Sequence, residues 1–354
     1  MSSQLDALAD RIREAAGRGA PLRLRGGGTK DFYGNEPRGE LLDTRAYAGI
    51  VDYEPTELVV TARCGTSLAG LEKKLEDSGQ CLPFEPPHFG EGATLGGCVA
   101  AGLSGPRRAS AGALRDFVLG VKIVDGRGRV LSFGGQVMKN VAGYDVSRLL
   151  AGSLGTLGFI AEVSLKVLPR PPAERTLRLA LPQERAIEAL NRWAGQPLPV
   201  SASAWREGEL TLRLSGSPAA LGPAAAAIGG ETLESAEAAA FWPSIREHSH
   251  AFFAGAEPLW RIALPSIAPP LELAGRQLIE WGAGLRWLKS ECEPSAVREA
   301  AKSAKGHATL FRAASKPVAA FSPLDPIALR LHRELKAAFD PAGIFNPGRL
   351  YLDL

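Results

Sequence analysis

Between Gly90 and Gly134 the chain reads GEGATLGGCVAAGLSGPRRASAGALRDFVLGVKIVDGRGRVLSFG, and this density of glycine restricts what the segment can become. Glycine lowers helix or strand stability by roughly 0.5–1 kcal/mol relative to alanine, so such a cluster implies sharp turns or close backbone approach. A second glycine loop, RGGGTK at Arg25–Lys30, follows a run that reads as a strand, Leu22–Arg25. Together the two loops point to a large phosphorylated cofactor held by backbone rather than by side chains.

At 354 residues the chain has room for two domains with substantial cores. Hydrophobic residues make up 45% and charged residues 22%, the balance of a soluble globular protein. A net charge of +3, with basic residues dispersed apart from Arg107–Arg108, argues against nucleic acid or a membrane surface as partner. Cys64, Cys81, Cys98 and Cys292 form no C-x-x-C pair, so neither a zinc site nor an iron–sulfur cluster is expected from this chain, and no metal. Four reduced thiols in a cytoplasmic protein is the plain reading. Leu5, Leu8, Ile12 and Ala15 recur at helical spacing ahead of Gly17 and Gly19, which predicts an opening amphipathic helix rather than a signal segment. No apolar run reaches membrane-spanning length, so membrane contact is expected only through partners.

From Pro21 to Pro169 short strands alternate with glycine loops. Strands are expected at Gly49–Tyr53, Leu58–Arg63, Val118–Val124 and Val130–Phe133, the last two joined by a hairpin turn at Asp125–Gly128. A helix is expected at Ser67–Ser78, with Leu68, Leu71 and Leu75 on one face. Phe159–Leu168 alternates apolar and polar residues as a half-buried strand would. Pro169, Pro171 and Pro172 mark a boundary. Beyond it, strands at Arg175–Leu181, Val200–Trp205, Leu210–Leu214, Trp260–Leu264, Gly284–Leu288 and His307–Arg312 mix with helices at Pro182–Ala194, Pro218–Ile228, Ala236–His248 and Pro294–Ala304. The pattern predicts an antiparallel sheet covered by helices, then a C-terminal helix Pro326–Phe339 and the tail DPAGIFNPGRL.

Three loops carry the chemistry. In RGGGTK, consecutive glycines let successive N–H groups converge on a phosphate, and Thr29 and Lys30 add a hydroxyl and a charge. A flexible hairpin loop would read the same. In GATLGGCVAAGLSG, Thr94 caps a short helix whose first turn presents Gly96 and Gly97, with their N–H groups expected free for an anion. A tightly packed helix is the alternative, although it leaves Gly102 and Gly105 unexplained. GSLGTLGFI places glycine at every third position before a strand, and Gly158 and Ile160 would offer backbone groups to an adenine edge.

In order, RGGGTK, TLGG-x-x-A-x-G-x-SG, G-x-x-RDFVLG, GYD, GS-x-G-T-LG and NPG resemble the FAD-binding domain of the vanillyl-alcohol oxidase (PCMH-type) flavoproteins. FEPPHFGEGATLGG, MKNVAGYDVSRLLAGSLGTLG and FNPGRLY are most similar to the E-subunit branch of the bacterial glycolate oxidases, or glycolate dehydrogenases. The resemblance implies an α+β fold: a two-subdomain FAD-binding domain over residues 1–170, a smaller ferredoxin-like α+β cap over 171–320, and a segment 321–354 returning to the first domain. It implies that Arg25, Gly26, Gly27, Gly28, Thr29 and Lys30, with Thr94, Leu95, Gly96 and Gly97, hold the FAD pyrophosphate. Pro87, Gly102, Ser104, Gly105, Gly112, Arg115, Asp116 and Val118 would line the cofactor, Gly158 and Ile160 would meet adenine, and Asn346 would approach the isoalloxazine. Thr29 stands where relatives with covalent flavin carry histidine, so noncovalent FAD is implied.

The chain departs from its hydroxyacid-dehydrogenase relatives in lacking their H-x-GDGN-x-H motif, and Leu154 replaces the carboxylate of their GSEGT. Of its five histidines, His248 and His250 read as a solvated pair, His332 as a surface residue, and His307 as a strand residue of open role. His88, in the rigid Pro86–Pro87–His88 loop, is a candidate base, although a turn histidine would read the same; Tyr144 of the GYD match is the other catalytic candidate. The resemblance implies a CH–OH oxidoreductase: an FAD subunit of a multi-subunit dehydrogenase that oxidises glycolate or another small 2-hydroxyacid to the 2-oxoacid. Its implied partners are a D-type flavoprotein subunit and an iron–sulfur F-type subunit, with this chain relaying electrons or scaffolding the catalytic partner. The competing readings are a self-sufficient FAD oxidase using His88 or Tyr144, and an assembly subunit without flavin.

Overall fold

The computed structural model describes residues 2–135 and 145–354. Its opening helix, Ser2–Arg18, buries Ala9, Ile12 and Ala15 against Phe159, Ala161 and Phe345, and ends where Gly19 turns left-handed at φ +62. The helix Leu68–Glu76 is capped by the Ser67 hydroxyl and turns Leu68, Leu71 and Leu75 into the core, the three positions read from the sequence.

Two sheets organise the molecule. The first has five antiparallel strands in the order Ile50–Glu54, Val59–Arg63, Phe159–Lys166, Val118–Val124 and Val130–Gly134. At its hairpin, Asp125 is wholly buried and accepts from the N–H groups of Arg127 and Arg129, which fixes the turn. The expected half-buried strand at Phe159–Leu168 is corrected. Phe159–Lys166 lies at the centre of the sheet with both faces covered, and Leu168–Pro169 pairs separately with Gln80–Cys81. Its polar residues are buried because they are paired: Glu162 with Tyr47 and Lys122, and Ser164 with Thr61.

The second sheet has eight antiparallel strands in the order Glu231–Thr232, Ala173–Ala180, Glu209–Gly216, Val200–Arg206, Arg276–Glu280, Leu285–Lys289, Leu259–Ala263 and His307–Arg312. The helices Gln183–Ala194 and Pro218–Ile228 cover one part of it, burying Ile187, Leu190, Trp193, Leu221 and Ala224 against Leu210, Leu212 and Leu214. Besides the two-residue strands Gln80–Cys81 and Glu231–Thr232, two strands escape sequence reading, Arg276–Glu280 and Glu40–Asp43. The second is a four-residue strand pairing in parallel with Leu22–Arg25, with Glu40 and Leu41 exposed. The architecture is the expected α+β arrangement. The tail returns to the first sheet's side, where Leu22 bridges Phe345 and donates to the Ile344 carbonyl.

Candidate functional site

The strand Leu22–Arg25 is held between Glu40–Asp43 and the tail, and it delivers the chain into the loop Gly26–Lys30. A side chain at Gly26 would overlap the Thr94 hydroxyl, and one at Gly27 would overlap the Gly92 carbonyl. Gly28 adopts φ +73. Only glycine therefore lets this loop lie backbone-on-backbone against the segment before Leu95. Among the described residues, no acceptor takes the N–H groups of Gly27, Gly28, Thr29 or Lys30. All four residues line an open cleft of about 600 Å³, also walled by Thr94, Gly97, Leu154, Asn346 and Arg349. A run of unpaired donors on a cleft has the geometry to cradle an anion. The Lys30 ammonium donates to the His88 carbonyl at 3.2 Å, and burial lowers its pKa.

The second expected anion site is corrected. Thr94 does cap the helix Leu95–Ala101, accepting from the Gly97 N–H at 3.3 Å. The other first-turn donors are also spent, Leu95 N–H on the Thr66 carbonyl and Gly96 N–H on the Cys64 carbonyl at 2.8 Å. Gly96 is glycine because a Cβ there would lie 2.6 Å from the Cys64 Cβ. Gly97 has more room and forms cleft wall. The pair Gly102 and Gly105 is likewise a packing feature: a Cβ on Gly102 would sit 2.7 Å from the Gly152 Cα, and one on Gly105 would overlap the Glu85 carbonyl.

A second cleft of about 380 Å³ shares Arg25, Gly26, Gly97, Leu154 and Asn346 with the first and continues to Gly155, Gly158 and Ile160. Asn346, at φ +40, spends its amide as a brace: Oδ1 accepts from the Leu24 N–H at 2.8 Å and Nδ2 donates to the Leu154 carbonyl at 2.6 Å. Beneath it the buried Lys336 ammonium donates to the Thr156 and Phe345 carbonyls and to Asp340, at 2.7–2.8 Å. The loop at Gly152–Thr156 and the tail are thereby fixed to one another.

The structure thus brings Arg25–Lys30, Thr94, Gly96, Gly97, Gly158, Ile160 and Asn346 onto the two clefts. Arg25 turns its guanidinium to Asp31 at 2.8 Å. Neither cleft is lined by Pro87, Leu95, Gly102, Ser104, Gly105, Gly112, Arg115, Asp116 or Val118. Leu95 and Val118 are core residues, Ser104 Oγ accepts from the Leu114 N–H, Asp116 accepts from the Ala113 N–H, and Arg115 is exposed. His88 also lines neither cleft; its Nε2 lies 2.9 Å from Glu72, while its N–H and that of Phe89 donate to Glu247. Tyr144 lies outside the described residues.

The solvated reading of His248 is overturned. Its ring is buried, stacked on Phe253 at 3.9 Å, and packed edge-on to Phe89 and Trp287. Burial, reinforced by Arg312 and Arg261, pushes its pKa well below the usual histidine value. His250 caps a turn at the Phe252 N–H. Cys64 and Cys98 are buried, with thiol pKa values pushed up to about 12.

Sequence reasoning missed Leu24, Thr44, Leu154 and Arg349 as cleft residues. Leu154 and Arg349 sit within motifs already quoted, beside the glycines and the asparagine that drew attention. Arg349 donates to the Asn35 and Asp31 carbonyls and clamps the tail on the glycine loop; burial holds its pKa down at about 10.

Residues 3–134 match the family model "FAD binding domain", and residues 322–350 match "FAD linked oxidases, C-terminal domain". Glycolate oxidase subunit GlcE of Escherichia coli (strain K12) is 47% identical over 348 residues, covering 98% of this chain and 97% of that one. Glycolate oxidase subunit GlcD of Bacillus subtilis (strain 168) is 32% identical over 44% of this chain and 34% of its own length. D-lactate dehydrogenase of Archaeoglobus fulgidus is 33% identical over 51% of this chain and 41% of its own. The solved structure of alkyldihydroxyacetonephosphate synthase superposes on 96% of this chain and 75% of that one, with a TM-score of 0.66 at 16% identity, a likeness of fold. With a full-length relative at 47% identity and an FAD binding domain over the glycine loops, the chain belongs to the GlcE family of FAD-binding glycolate oxidase subunits.

Proposed function

We propose that this chain is the FAD-carrying subunit of a multi-subunit dehydrogenase that oxidises glycolate, or a closely related 2-hydroxyacid, to the 2-oxoacid. The observation that carries the reading is the unpaired N–H run Gly27–Lys30 on a cleft, within a chain similar over its whole length to a glycolate oxidase subunit. These residues fit FAD: donors without acceptors suit a pyrophosphate, and the small residues Gly97 and Ala100 leave the wall open to a flat group. Gly27, Gly28, Thr29 and Lys30 would hold the pyrophosphate, and Gly158 and Ile160 would face the adenine end. Asn346, Lys336 and Arg349 act as positioning residues that keep the loop at Gly152–Thr156 and the tail in register with the glycine loop. When bound, FAD supplies a two-electron acceptor that can release its electrons singly.

His88 lines neither cleft, which favours a chain that relays electrons over a self-sufficient oxidase using His88 as base. The electrons would leave to an iron–sulfur partner, with a GlcD-like flavoprotein as the other subunit. No helix among the described residues is long and apolar enough to cross a membrane, so attachment to the inner membrane would run through those partners. Affinity purification of the tagged chain from its native cell tests the reading. A flavoprotein and an iron–sulfur protein should co-purify, and the separated chain should be yellow yet leave glycolate unoxidised. Robust glycolate turnover by the separated chain would refute the division of labour.

A further inference from the structure

A separate cavity, of about 690 Å³, shares no lining residue with the two cofactor clefts. It sits where the strand Val200–Arg206 lacks a full neighbour. That strand pairs with Arg276–Glu280 only at Ala204 and Trp205, so its first half has no strand beside it on that edge. The short helix Arg108–Ala111 approaches there from the glycine-loop side of the molecule, and its Ser110 hydroxyl donates to the Ser201 carbonyl at 3.0 Å. The space left between them is walled by Leu190 and Trp193 of the helix Gln183–Ala194 and by Leu198 and Val200.

The lining sets what can occupy it. Both cofactor clefts are walled by Arg25, whereas no charged side chain lines this cavity. An ion would leave water for a site without counter-charge, so the lining selects a neutral occupant. Trp193 and the aliphatic walls suit an apolar ring. Within that lining one polar group is unfinished. Ser201 donates to the Arg213 carbonyl at 3.1 Å, and the Ser110 proton is spent on backbone carbonyls. Ser203, 2% exposed and opposite Leu212 in the sheet, accepts from the Gly282 N–H at 3.0 Å. Among the described residues nothing accepts its own proton. A buried donor left without an acceptor is destabilising, so the site is complete only when an acceptor enters it. Gly282 reaches Ser203 from a strained turn, in which Trp281, Gly282 and Ala283 run consecutively at φ 56, 61 and 75. Strain of this kind persists where a group must be aimed, and here the aimed group fixes the Ser203 hydroxyl.

We propose that this cavity binds a small neutral ring compound carrying a carbonyl group, with Ser203 donating to the carbonyl and Leu190, Trp193 and Leu198 packing on the ring. The site is distinct from the flavin clefts and independent of the substrate reading above. Three probes test it. Acetophenone has the ring and the carbonyl, ethylbenzene keeps the size without the acceptor, and benzoate adds a charge. Each is titrated into the purified holoprotein and followed by ligand-observed saturation-transfer NMR.

Acetophenone should bind, ethylbenzene should bind about five-fold more weakly, the worth of one neutral hydrogen bond, and benzoate should not bind. Ser203→Ala should weaken acetophenone by about the same five-fold and leave ethylbenzene unchanged. Ala194→Phe, on the exposed rim of the cavity, should exclude both, whereas Ala337→Phe, exposed on the C-terminal helix, should exclude neither. FAD content and the far-ultraviolet spectrum of each variant report on folding. If Ser203→Ala does not fold, Ala194→Phe and the contrast among the three probes on the wild type carry the test. Absence of acetophenone binding by the wild type, benzoate binding as tightly as acetophenone, or unchanged acetophenone binding by folded Ser203→Ala or Ala194→Phe would overturn the proposal. None of these results bears on the flavin reading, which flavin content tests separately.

Discussion

Replacing Lys336 with methionine removes a cation whose three donors tie together the Gly152–Thr156 loop and the tail beside the two clefts. The ammonium reaches the Thr156 and Phe345 carbonyls and the Asp340 carboxylate, and the Asp340 side chain is fully shielded from solvent. Methionine keeps most of the apolar stem, so the loss is electrostatic. Removing one partner of a buried ion pair costs about 3–5 kcal/mol because the other charge is left uncompensated. Asp340 retains the N–H groups of Ile344 and Phe345, which places the expected loss near the lower end, about 3 kcal/mol. Urea unfolding of the FAD-free protein, followed by tryptophan fluorescence, measures it. The double variant Lys336→Met/Asp340→Asn should recover a substantial part of the loss, since no charge is then stranded. A loss below about 1 kcal/mol, or a double variant no more stable than the single one, would refute the claim that this pair holds the tail against the Gly152–Thr156 loop.

Glu280 is fully buried, and desolvation raises its pKa to about 7 although the Trp287 N–H and the charge of Arg261 favour the carboxylate. A carboxyl raised in the folded state contributes stability at acid pH that is lost as pH climbs from about 4.5 through 7. Glu280→Gln should therefore flatten the stability profile between pH 5 and pH 8 in thermal unfolding scans; an unchanged slope would show that Glu280 is not its source. Gly96→Ala should lower thermal stability sharply because its Cβ meets Cys64 at 2.6 Å, whereas Gly17→Ala, with open space around it, should not. Cys64 and Cys98 should resist alkylation at pH 8 in the native protein, since their thiols ionise only near pH 12; rapid labelling identified by mass spectrometry would contradict that burial.

Much of the fold was legible where periodicity and turn chemistry agree. The leucine face of Leu68–Glu76, the Asp125–Gly128 hairpin and the C-terminal helix follow from local pattern alone. What pattern could not supply was burial on a strand's second face. Glu162 and Ser164 look solvent-facing until Tyr47, Lys122 and Thr61 arrive from distant segments to pair with them. The glycines show the same limit. RGGGTK keeps free donors and can cradle an anion, while Gly96, Gly102 and Gly105 exist because another backbone or side chain presses against them. A composition count cannot tell the two kinds apart, since close neighbours crowd both and the difference lies in whether the backbone N–H groups already have acceptors. His248 was misread for a similar reason. Its neighbours Phe89, Trp287 and Phe311 come from three different parts of the chain.

The central claim is that the free N–H run Gly27–Lys30 holds the pyrophosphate of FAD, and flavin content measures it directly. The purified wild-type chain should release FAD on denaturation in stoichiometric amount. Gly27→Val, whose side chain would collide with the Gly92 carbonyl and push the two loops apart, should lose the flavin while keeping the far-ultraviolet spectrum of a folded protein. A folded Gly27→Val chain with full flavin content would contradict the account.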